Sequence, residues 1–270
     1  METEIRAALQ DEWRFVTSDA LGRYLDGIVH QVAARVEGAP DGCRVVLIDE
    51  PAHRIVALPS GLILMSVGML RFLEDEAELV FVLGRETAHI ASGETAARVV
   101  RASLGVLAHD ESGRPDTAWT GAMLDIARLG HGRHSEIEAD AVALRAMLAL
   151  RYEPSSALNM LRRIKRTVEM GDRNAADVAV AYPPPGYRAR KIEKVLYGRI
   201  GRAPVQRVNR EVFRRVAGFD TLRDLEPAEI GTRADPAATP RAERRLRKLG
   251  VVVGAVAIAA LALVLWLLLR

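Results

Sequence analysis

The sequence predicts an α+β protein that is mainly helical, with a small β-sheet near the N-terminus and one apolar helix at the C-terminus. Three observations lead to this prediction. Short runs rich in β-branched residues cluster between residues 44 and 65. From Val67 onward, most segments have the three-to-four-residue spacing of apolar side chains that is typical of helices. Residues 251–269 carry no charged side chain.

The N-terminal part begins with a predicted amphipathic helix over Asp19–Val36, in which apolar residues recur at helical spacing. Three strands are then predicted at Arg44–Ile48, Arg54–Leu58 and Leu62–Met65. The turn-forming sequence Pro59-Ser60-Gly61 separates the second strand from the third. We expect this sheet to form the upper edge of a cleft.

Helices are predicted through most of the remaining chain. The longest, Asp75–Ala91, ends at Ser92-Gly93, because glycine commonly follows the last helical residue. Two further helices are predicted, from about residue 94 to 108 and from about 117 to 129. Three later helices are Ser135–Leu150, Pro154–Met170 and Tyr187–Tyr197, the last after the rigid elbow Tyr182-Pro-Pro-Pro-Gly186.

The C-terminal run Val251–Leu269 is long enough to cross a membrane. Its 19 residues would form roughly 28 Å of helix, close to the thickness of the hydrocarbon core. Five basic residues precede the run and only Arg270 follows it, which places the main body in the cytoplasm as a protein with one C-terminal span. We therefore expect membrane lipid as a partner. The predicted division is a folded domain at 1–219, a tether with a basic juxtamembrane segment at 220–250 and a transmembrane helix at 251–269.

The charge distribution argues against a nucleic-acid partner. The formal charge is +3, but residues 1–240 carry 32 basic and 34 acidic side chains, so the basic excess belongs to the last 30 residues. A protein that binds nucleic acid is expected to carry its basic charge over the folded domain. Cys43 is the only cysteine, so no intramolecular disulfide can form.

One segment of the longest predicted helix resembles a zinc-binding signature with one residue changed. Leu79–Glu94 reads LVFVLGRETAHIASGE. With histidine in place of Arg85, it would contain H-E-x-x-H, in which two imidazoles on one helix face bind zinc and the glutamate activates the metal-bound water. Arg85 and His89 share a face here, with Glu86 beside them. Alone, this spacing is a weak signal, since a partly buried histidine on a helix face is the ordinary alternative.

Two later segments carry polar residues in an apolar context. Glu136 and Asp140, in EIEAD, lie four residues apart on one face of a helix that is otherwise rich in Ala, Leu, Val and Met. Carboxylates in such surroundings are costly unless a cation meets them, although a solvated acidic edge is the simpler interpretation and suits Glu138 well. The elbow adds Tyr182 before the prolines and Arg188 after them.

Taken in this order, the segments resemble the glutamate-zincin metallopeptidases that include HtpX, the CAAX prenyl protease, BepA and the Oma-type quality-control proteases. The family pattern has an "LPGG" turn followed by "DEAELAAVLAHEIAH", and this chain has ALPSGLILMSVGMLRFLEDEAELVFVLGRETAHIASG. The family's "E-x-E-A-D" corresponds to EIEAD, its "GYDP" break to RYEP, and its "HP" with a following arginine to YPPPGYR. The resemblance covers roughly Asp19 to Ile200.

Carried over residue by residue, the resemblance implies a zincin-like metallopeptidase domain. It makes Glu86 the general base, His89 and Glu136 zinc ligands, and Asp140 a supporting carboxylate that orients a ligand histidine. Arg188 matches the family arginine near the site. Two positions depart from the pattern: Arg85 replaces the first zinc ligand, and Tyr182 replaces a histidine near the site.

The change to arginine removes a ligand, because a guanidinium stays protonated in proteins and has no lone pair to donate. We therefore formulate an internal-cation hypothesis, in which Arg85 replaces the metal as the counter-charge of Glu136. A substitute ligand from His131 or His134, which precede Glu136, is the alternative. Tyr182 weakens the case for catalysis less, because a phenol can donate a hydrogen bond to a developing oxyanion.

Three functions remain open at this point. The first is a membrane-anchored pseudoprotease without a cofactor, which keeps the cleft as a surface for a polypeptide substrate or client. The second is an active zinc metalloendopeptidase that degrades membrane-associated or misfolded proteins with an unusual ligand set. A purely structural tail-anchored protein is a third possibility, which the retention of Glu86, His89, Glu136 and Asp140 disfavours.

Overall fold

The computed structural model of the chain describes residues 13–95, 97, 133–172, 183–197, 206–223 and 225–227. The chain divides into two compact units, Met1–Ala234 and Asp235–Arg270, and all described residues lie in the first.

The described strands form one mixed sheet in the order β3-β4-β2-β1-β5. The central pair, β2 and β4, is parallel, with Arg44 opposite Leu62 and Ile48 opposite Ser66, and the other neighbouring strands are antiparallel. Gly61 turns the chain between β3 and β4 with φ of +94°, a conformation that glycine adopts without strain. The strands are β1 (Phe15–Thr17), β2 (Arg44–Ile48), β3 (Ile55–Ala57), β4 (Leu62–Ser66) and β5 (Glu226–Pro227).

Helices make up most of the described domain, as the sequence predicts. Each predicted helix within the described ranges is present, and its ends differ from the prediction by no more than three residues. The helices are α1 (Asp19–Ala33), α2 (Val67–Phe72), α3 (Glu76–Ala91), α4 (Arg133–Ala149), α5 (Ser155–Glu169), α6 (Pro185–Tyr197), α7 (Arg210–Ala217) and α8 (Phe219–Arg223).

Helix α3 runs through the centre of the domain. Every residue from Glu76 to Ile90 is buried, because α1, α4, α5 and β3 pack around it. Its N-terminus is capped by Asp75, whose side chain accepts a hydrogen bond from the amide of Glu78 at 2.9 Å. Its C-terminus is followed by Gly93 with φ of +71°. A helix buried on all sides needs apolar residues all round, and the run LVFVLG supplies them.

Two features extend the domain beyond the sequence prediction. Strand β1 precedes the first predicted helix, and β5 pairs with β1 at the sheet edge, with Val16 opposite Pro227. Residues 220–227 therefore contain part of α8 and strand β5, whereas the sequence assigned them to the tether.

The C-terminal predictions stay predictions. Within the described ranges, no helix combines the length and apolar composition that a membrane crossing requires. The predicted span at 251–269, most of the tether and the predicted helices at 94–108 and 117–129 fall outside those ranges, apart from residues 94, 95 and 97.

Candidate functional site

The candidate site lies where α4 crosses the last turns of α3. At this crossing, a Cβ on Gly84 would come within 3.0 Å of both Cα and Cβ of Ala143, so the two backbones are as close as glycine permits. Asp140 lies one turn and Glu136 two turns before Ala143 on the same face of α4. The crossing therefore brings both carboxylates against Arg85 and His89 of α3.

The guanidinium of Arg85 bridges the two helices. Its Nη2 donates to Oε2 of Glu136, and its Nε lies 3.0 Å from Oδ1 of Asp140. Its Nη1 lies 3.9 Å from Oε1 of Glu86. The internal-cation hypothesis requires a contact between Arg85 and Glu136, and this contact is present. The same guanidinium also contacts Asp140.

Asp140 lies between two arginines. Arg188, near the start of α6, donates from Nε to Oδ2 of Asp140 at 2.8 Å and from Nη2 to Oδ1 at 2.6 Å. This two-point geometry is the strong form of an arginine–carboxylate pair. The resemblance assigns Asp140 to orienting a histidine, whereas here its oxygens are directed to Arg85 and Arg188.

His89 lies among carboxylates and one hydroxyl. Its Nε2 is 3.5 Å from Oε1 of Glu136, and its Nδ1 is 3.5 Å from Oε2 of Glu94 and 3.3 Å from Oγ of Ser135. The Ser135 hydroxyl also donates to Glu94. Burial alone would lower the pKa of His89, but hydrogen bonds to Glu136 and Glu94 outweigh it and raise the pKa to about 9. The imidazole is therefore a cation at neutral pH.

The pKa values of Glu136 and Glu86 are shifted in opposite directions by their surroundings. Burial by itself would raise the pKa of Glu136, but Arg85 and then His89 outweigh burial and hold this pKa well below its usual range. For Glu86 burial dominates over the nearby charges of His89 and Arg85, so its pKa is raised. Glu136 is thus held as an anion by the cations around it, and Glu86 is poorly stabilised as one.

All of these side chains are buried, not arranged along an open surface. Arg85, Glu86, His89, Glu136, Asp140 and Arg188 are each less than 5% exposed. Buried charges persist only when they are paired. Arg85 and Arg188 pair with Glu136 and Asp140, and His89 lies beside Glu136 and Glu94. The cations of the cluster therefore have anionic partners.

The donors that the structure describes at this site do not fit a zinc ion. A protein zinc site takes three or four nitrogen, oxygen or sulfur donors with free lone pairs. Among the described residues, no group of three or more His, Cys, Asp or Glu side chains is arranged to hold a metal. A divalent ion 4 Å from the Arg85 guanidinium would be repelled by about 8 kcal/mol at an effective dielectric constant of 20.

Several predicted site residues are not described. Tyr182 and His131 lie outside the described ranges, and His134 is described only as a backbone position in the first turn of α4. Two residues that the sequence reasoning missed, Ser135 and Glu94, contact His89 directly. The only sequence feature that points to Ser135 is its position beside Glu136. Glu94 follows the end of α3 and has no helical spacing to His89, so no sequence pattern points to it.

Comparison with known proteins yields two findings. The model of peptidase family M48 matches residues 20–196. The "Mitochondrial metalloendopeptidase OMA1" of Arabidopsis thaliana is 26% identical over 160 residues, which cover 58% of this chain and 31% of that protein. The chain thus matches less than a third of the length of this relative.

Proposed function

The chain belongs to peptidase family M48, and we propose that it is a pseudoprotease of that family, anchored to a membrane by residues 251–269. In this proposal the metallopeptidase-like domain binds a polypeptide client or substrate without cleaving it. The protein needs no zinc, because a guanidinium takes the place of the metal.

One observation carries the proposal: Arg85 contacts Glu136 and Asp140 simultaneously in the interior. The resemblance assigns a zinc ligand to the position of Arg85 and another to Glu136. A guanidinium supplies a fixed positive charge and several N–H donors, so it can hold both carboxylates in place without a metal. In this proposal, the retained Glu136 and Asp140 contribute to the stability of the domain, and Glu86 has no metal-bound water to activate.

Anchoring and client binding rest on separate grounds. Anchoring is supported by the uncharged run at 251–269 and the five basic residues before it. Binding of a polypeptide is proposed from membership of a peptidase family and from a relative that is named as a metalloendopeptidase. A role in protein quality control at a membrane follows from the same resemblance and is part of the proposal.

An active metalloendopeptidase is the second candidate, because Glu86, His89 and Glu136 are all retained at their expected positions. Activity would require a substitute zinc ligand and displacement of the Arg85 guanidinium from Glu136. The candidate is distinguished from the first by metal content and by cleavage that depends on metal.

The first prediction concerns zinc. The full chain, purified without added metal, is expected to contain far less than one zinc per molecule and to show no chelator-sensitive cleavage of casein. Arg85→His removes the resident cation and supplies an imidazole four residues from His89, so this variant is expected to bind zinc. Metal analysis by mass spectrometry and a casein assay with and without chelator measure both properties.

A double variant serves as the control. If Arg85→His gains cleavage, Arg85→His/Glu86→Gln should keep the zinc and lose the cleavage, because the general base is then missing. Stoichiometric zinc in the native chain, or casein cleavage by it that a chelator stops, would contradict the pseudoprotease proposal and favour the active enzyme.

A further inference from the structure

Basic charge is concentrated on the outer surface of α5 and α6, away from the buried site. The described residues from 13 to 95 carry 7 basic and 12 acidic side chains. The partly or fully exposed residues of α5 and α6, by contrast, include seven basic and two acidic side chains. We call these the basic face: Arg162, Arg163, Lys165, Arg166, Arg190, Lys191 and Lys194, with Glu169 and Glu193.

The basic face contains a groove of about 520 Å³ along α5. Residue 159 lies three and four residues before 162 and 163, and residue 166 lies four and three residues after them, so the four side chains share one side of the helix. Glu74 also lines the groove, with its Oε1 3.4 Å from Nη1 of Arg163. The lining residues are Glu74, Asn159, Arg162, Arg163, Lys165 and Arg166.

The arginines of the groove are not equivalent. Arg163 is held in place, since it donates to both oxygens of Glu78 and to the carbonyl of Phe72. Arg162 pairs with Glu193 at 2.8 Å, but its side chain is 50% exposed. Within the described part of the chain, Arg166 has no ion-pair partner.

Two of these cations can exchange partners at low cost. The pairs of Arg162 with Glu193 and of Lys165 with Glu169 are exposed, and exposed pairs contribute little to stability. Arg162, Lys165 and Arg166 are therefore available to a new anion, and arginine is well suited to phosphate because of its planar array of donors.

An exposed apolar side chain continues the same side of α5. Met170, directly after the helix, lies four residues beyond Arg166, and it is 86% exposed. Clustered basic side chains with an adjacent exposed apolar side chain favour contact with the surface of an anionic membrane.

We propose that the basic face of α5 and α6 docks on an anionic phospholipid bilayer, with lipid phosphates in the groove beside Arg162 and Arg166 and with Met170 in the interface. The inference rests on the membrane anchoring proposed above and is independent of whether the site binds zinc. The 23 residues between Pro227 and Val251 span at most about 85 Å even when fully extended, which sets an upper limit on the distance of the domain from a bilayer that holds residues 251–269.

The test uses a fluorescent label at Met170. Cys43 is fully buried, and burial with the nearby charge of Asp41 raises its pKa to about 12, so it reacts poorly with thiol reagents. Met170→Cys in the full chain can therefore be labelled selectively with an environment-sensitive dye. The chain without this substitution should take up no dye.

The labelled chain is placed in nanodiscs of phosphatidylcholine alone or of phosphatidylcholine with phosphatidylglycerol. We expect a blue-shifted, stronger emission only with the anionic lipid, and we expect high salt to remove it. Arg162→Gln/Lys165→Gln/Arg166→Gln should weaken docking about a hundredfold, because each basic residue near an anionic surface contributes roughly a factor of five.

The matched control removes three exposed arginines elsewhere, in Arg23→Gln/Arg35→Gln/Arg145→Gln. It lowers the net charge equally and should leave the emission unchanged. Equal emission in both lipids, or equal loss in both triple variants, would overturn the proposal. So would a response to polyglutamate in neutral discs without a response to anionic lipid, which would assign the face to an acidic polypeptide.

Co-elution of the full chain with neutral discs measures the anchor separately. If the chain fails to enter neutral discs, the anchoring proposal is wrong. Emission after addition of anionic vesicles in solution then still decides whether the basic face binds lipid.

Discussion

Arg85 contacts two buried carboxylates with one side chain. Its Nη2 donates to Glu136 and its Nε lies 3.0 Å from Oδ1 of Asp140, an arrangement that a lysine ammonium at the end of a flexible chain would not reproduce with the same geometry. Removing one member of such a group is expensive, because the remaining charges stay buried without compensation. The contribution of Arg85 to stability therefore depends on its partners.

A substitution at Arg85 measures this dependence. Arg85→Met keeps much of the volume and removes the charge, so Glu136 and Asp140 lose their shared cation. We expect the free energy of unfolding to fall by about 3–5 kcal/mol, measured by urea denaturation of the full chain in detergent.

The accompanying control neutralises the partner. Arg85→Met/Glu136→Gln should lose clearly less stability than the sum of the two single variants, since the unpaired anion is absent. Additive losses would show that the two side chains do not interact, and the internal-cation hypothesis would then lose its main support.

Sequence reasoning at this scale succeeded where helical spacing and family resemblance agreed. The contact of Arg85 with Glu136 could be predicted, because in the family the residues at these two positions bind one metal ion. The contacts of His89 with Glu94 and Ser135 did not follow, because Glu94 lies past the helix end and its approach depends on a local turn. The approach of Arg188 to Asp140 depends on how α6 packs against α4, which the sequence pattern does not specify.

At the scale of elements, the crossing of α3 and α4 determines the geometry of the site. Gly84 allows the two helix backbones to touch at Ala143, and this contact sets how far Arg85 is from Glu136 and Asp140. The two atoms that a Cβ on Gly84 would meet are Cα and Cβ of Ala143, which cannot move aside as the end of a long side chain would.

Gly84→Ala tests the crossing. The added methyl group would lie 3.0 Å from Ala143, so α3 and α4 must move apart, and we expect a loss of about 1–3 kcal/mol in unfolding free energy. Gly27→Ala is the matched control, since Gly27 is an exposed helical position with no atom within 4 Å of its Cβ site. The control should gain about 0.5–1 kcal/mol. A neutral Gly84→Ala in thermal or urea unfolding would contradict the close contact.

The elements that the sequence predicted are those with enough residues to show a period. Helices α1, α3 and α5 have 15 or 16 residues each, and β2 is a run of β-branched and aliphatic residues. Strands β1 and β5 have three and two residues, too few for an alternating pattern. Their strand conformation depends on pairing with each other and with β2, across more than 200 residues in the case of β1 and β5.

At the scale of the whole domain, residues 206–227 complete the structure beyond the end of the family match. The carbonyl of Val208 accepts hydrogen bonds from the amides of Glu76 and Ala77 at the start of α3, at 3.1 and 3.3 Å. The side chain of Asn209 donates to Glu76, which also accepts from Tyr24 and Tyr152. The Val208 carbonyl thus satisfies two amides that a helix start leaves without intrahelical partners, and the other three hydrogen bonds hold the Glu76 carboxylate.

Truncation measures the contribution of this segment. A chain that ends after Val205 loses the Val208 contacts, the Asn209 hydrogen bond and the buried side chains of Phe213 and Leu222. We expect it to be at least about 3 kcal/mol less stable than a chain that ends after Ala234, as measured by urea unfolding. Equal stability of the two truncated chains would show that residues 206–227 are dispensable.

The helix that carries Arg85, Glu86 and His89 is therefore fixed at its first residues by a segment from the far end of the domain. The part of this protein that would keep its structure in another chain is larger than the family match. Residues 20–196 alone would lack the hydrogen bonds from Val208 at the start of the central helix. Any graft that aims to preserve the ionic cluster has to bring residues 206–227 along with it.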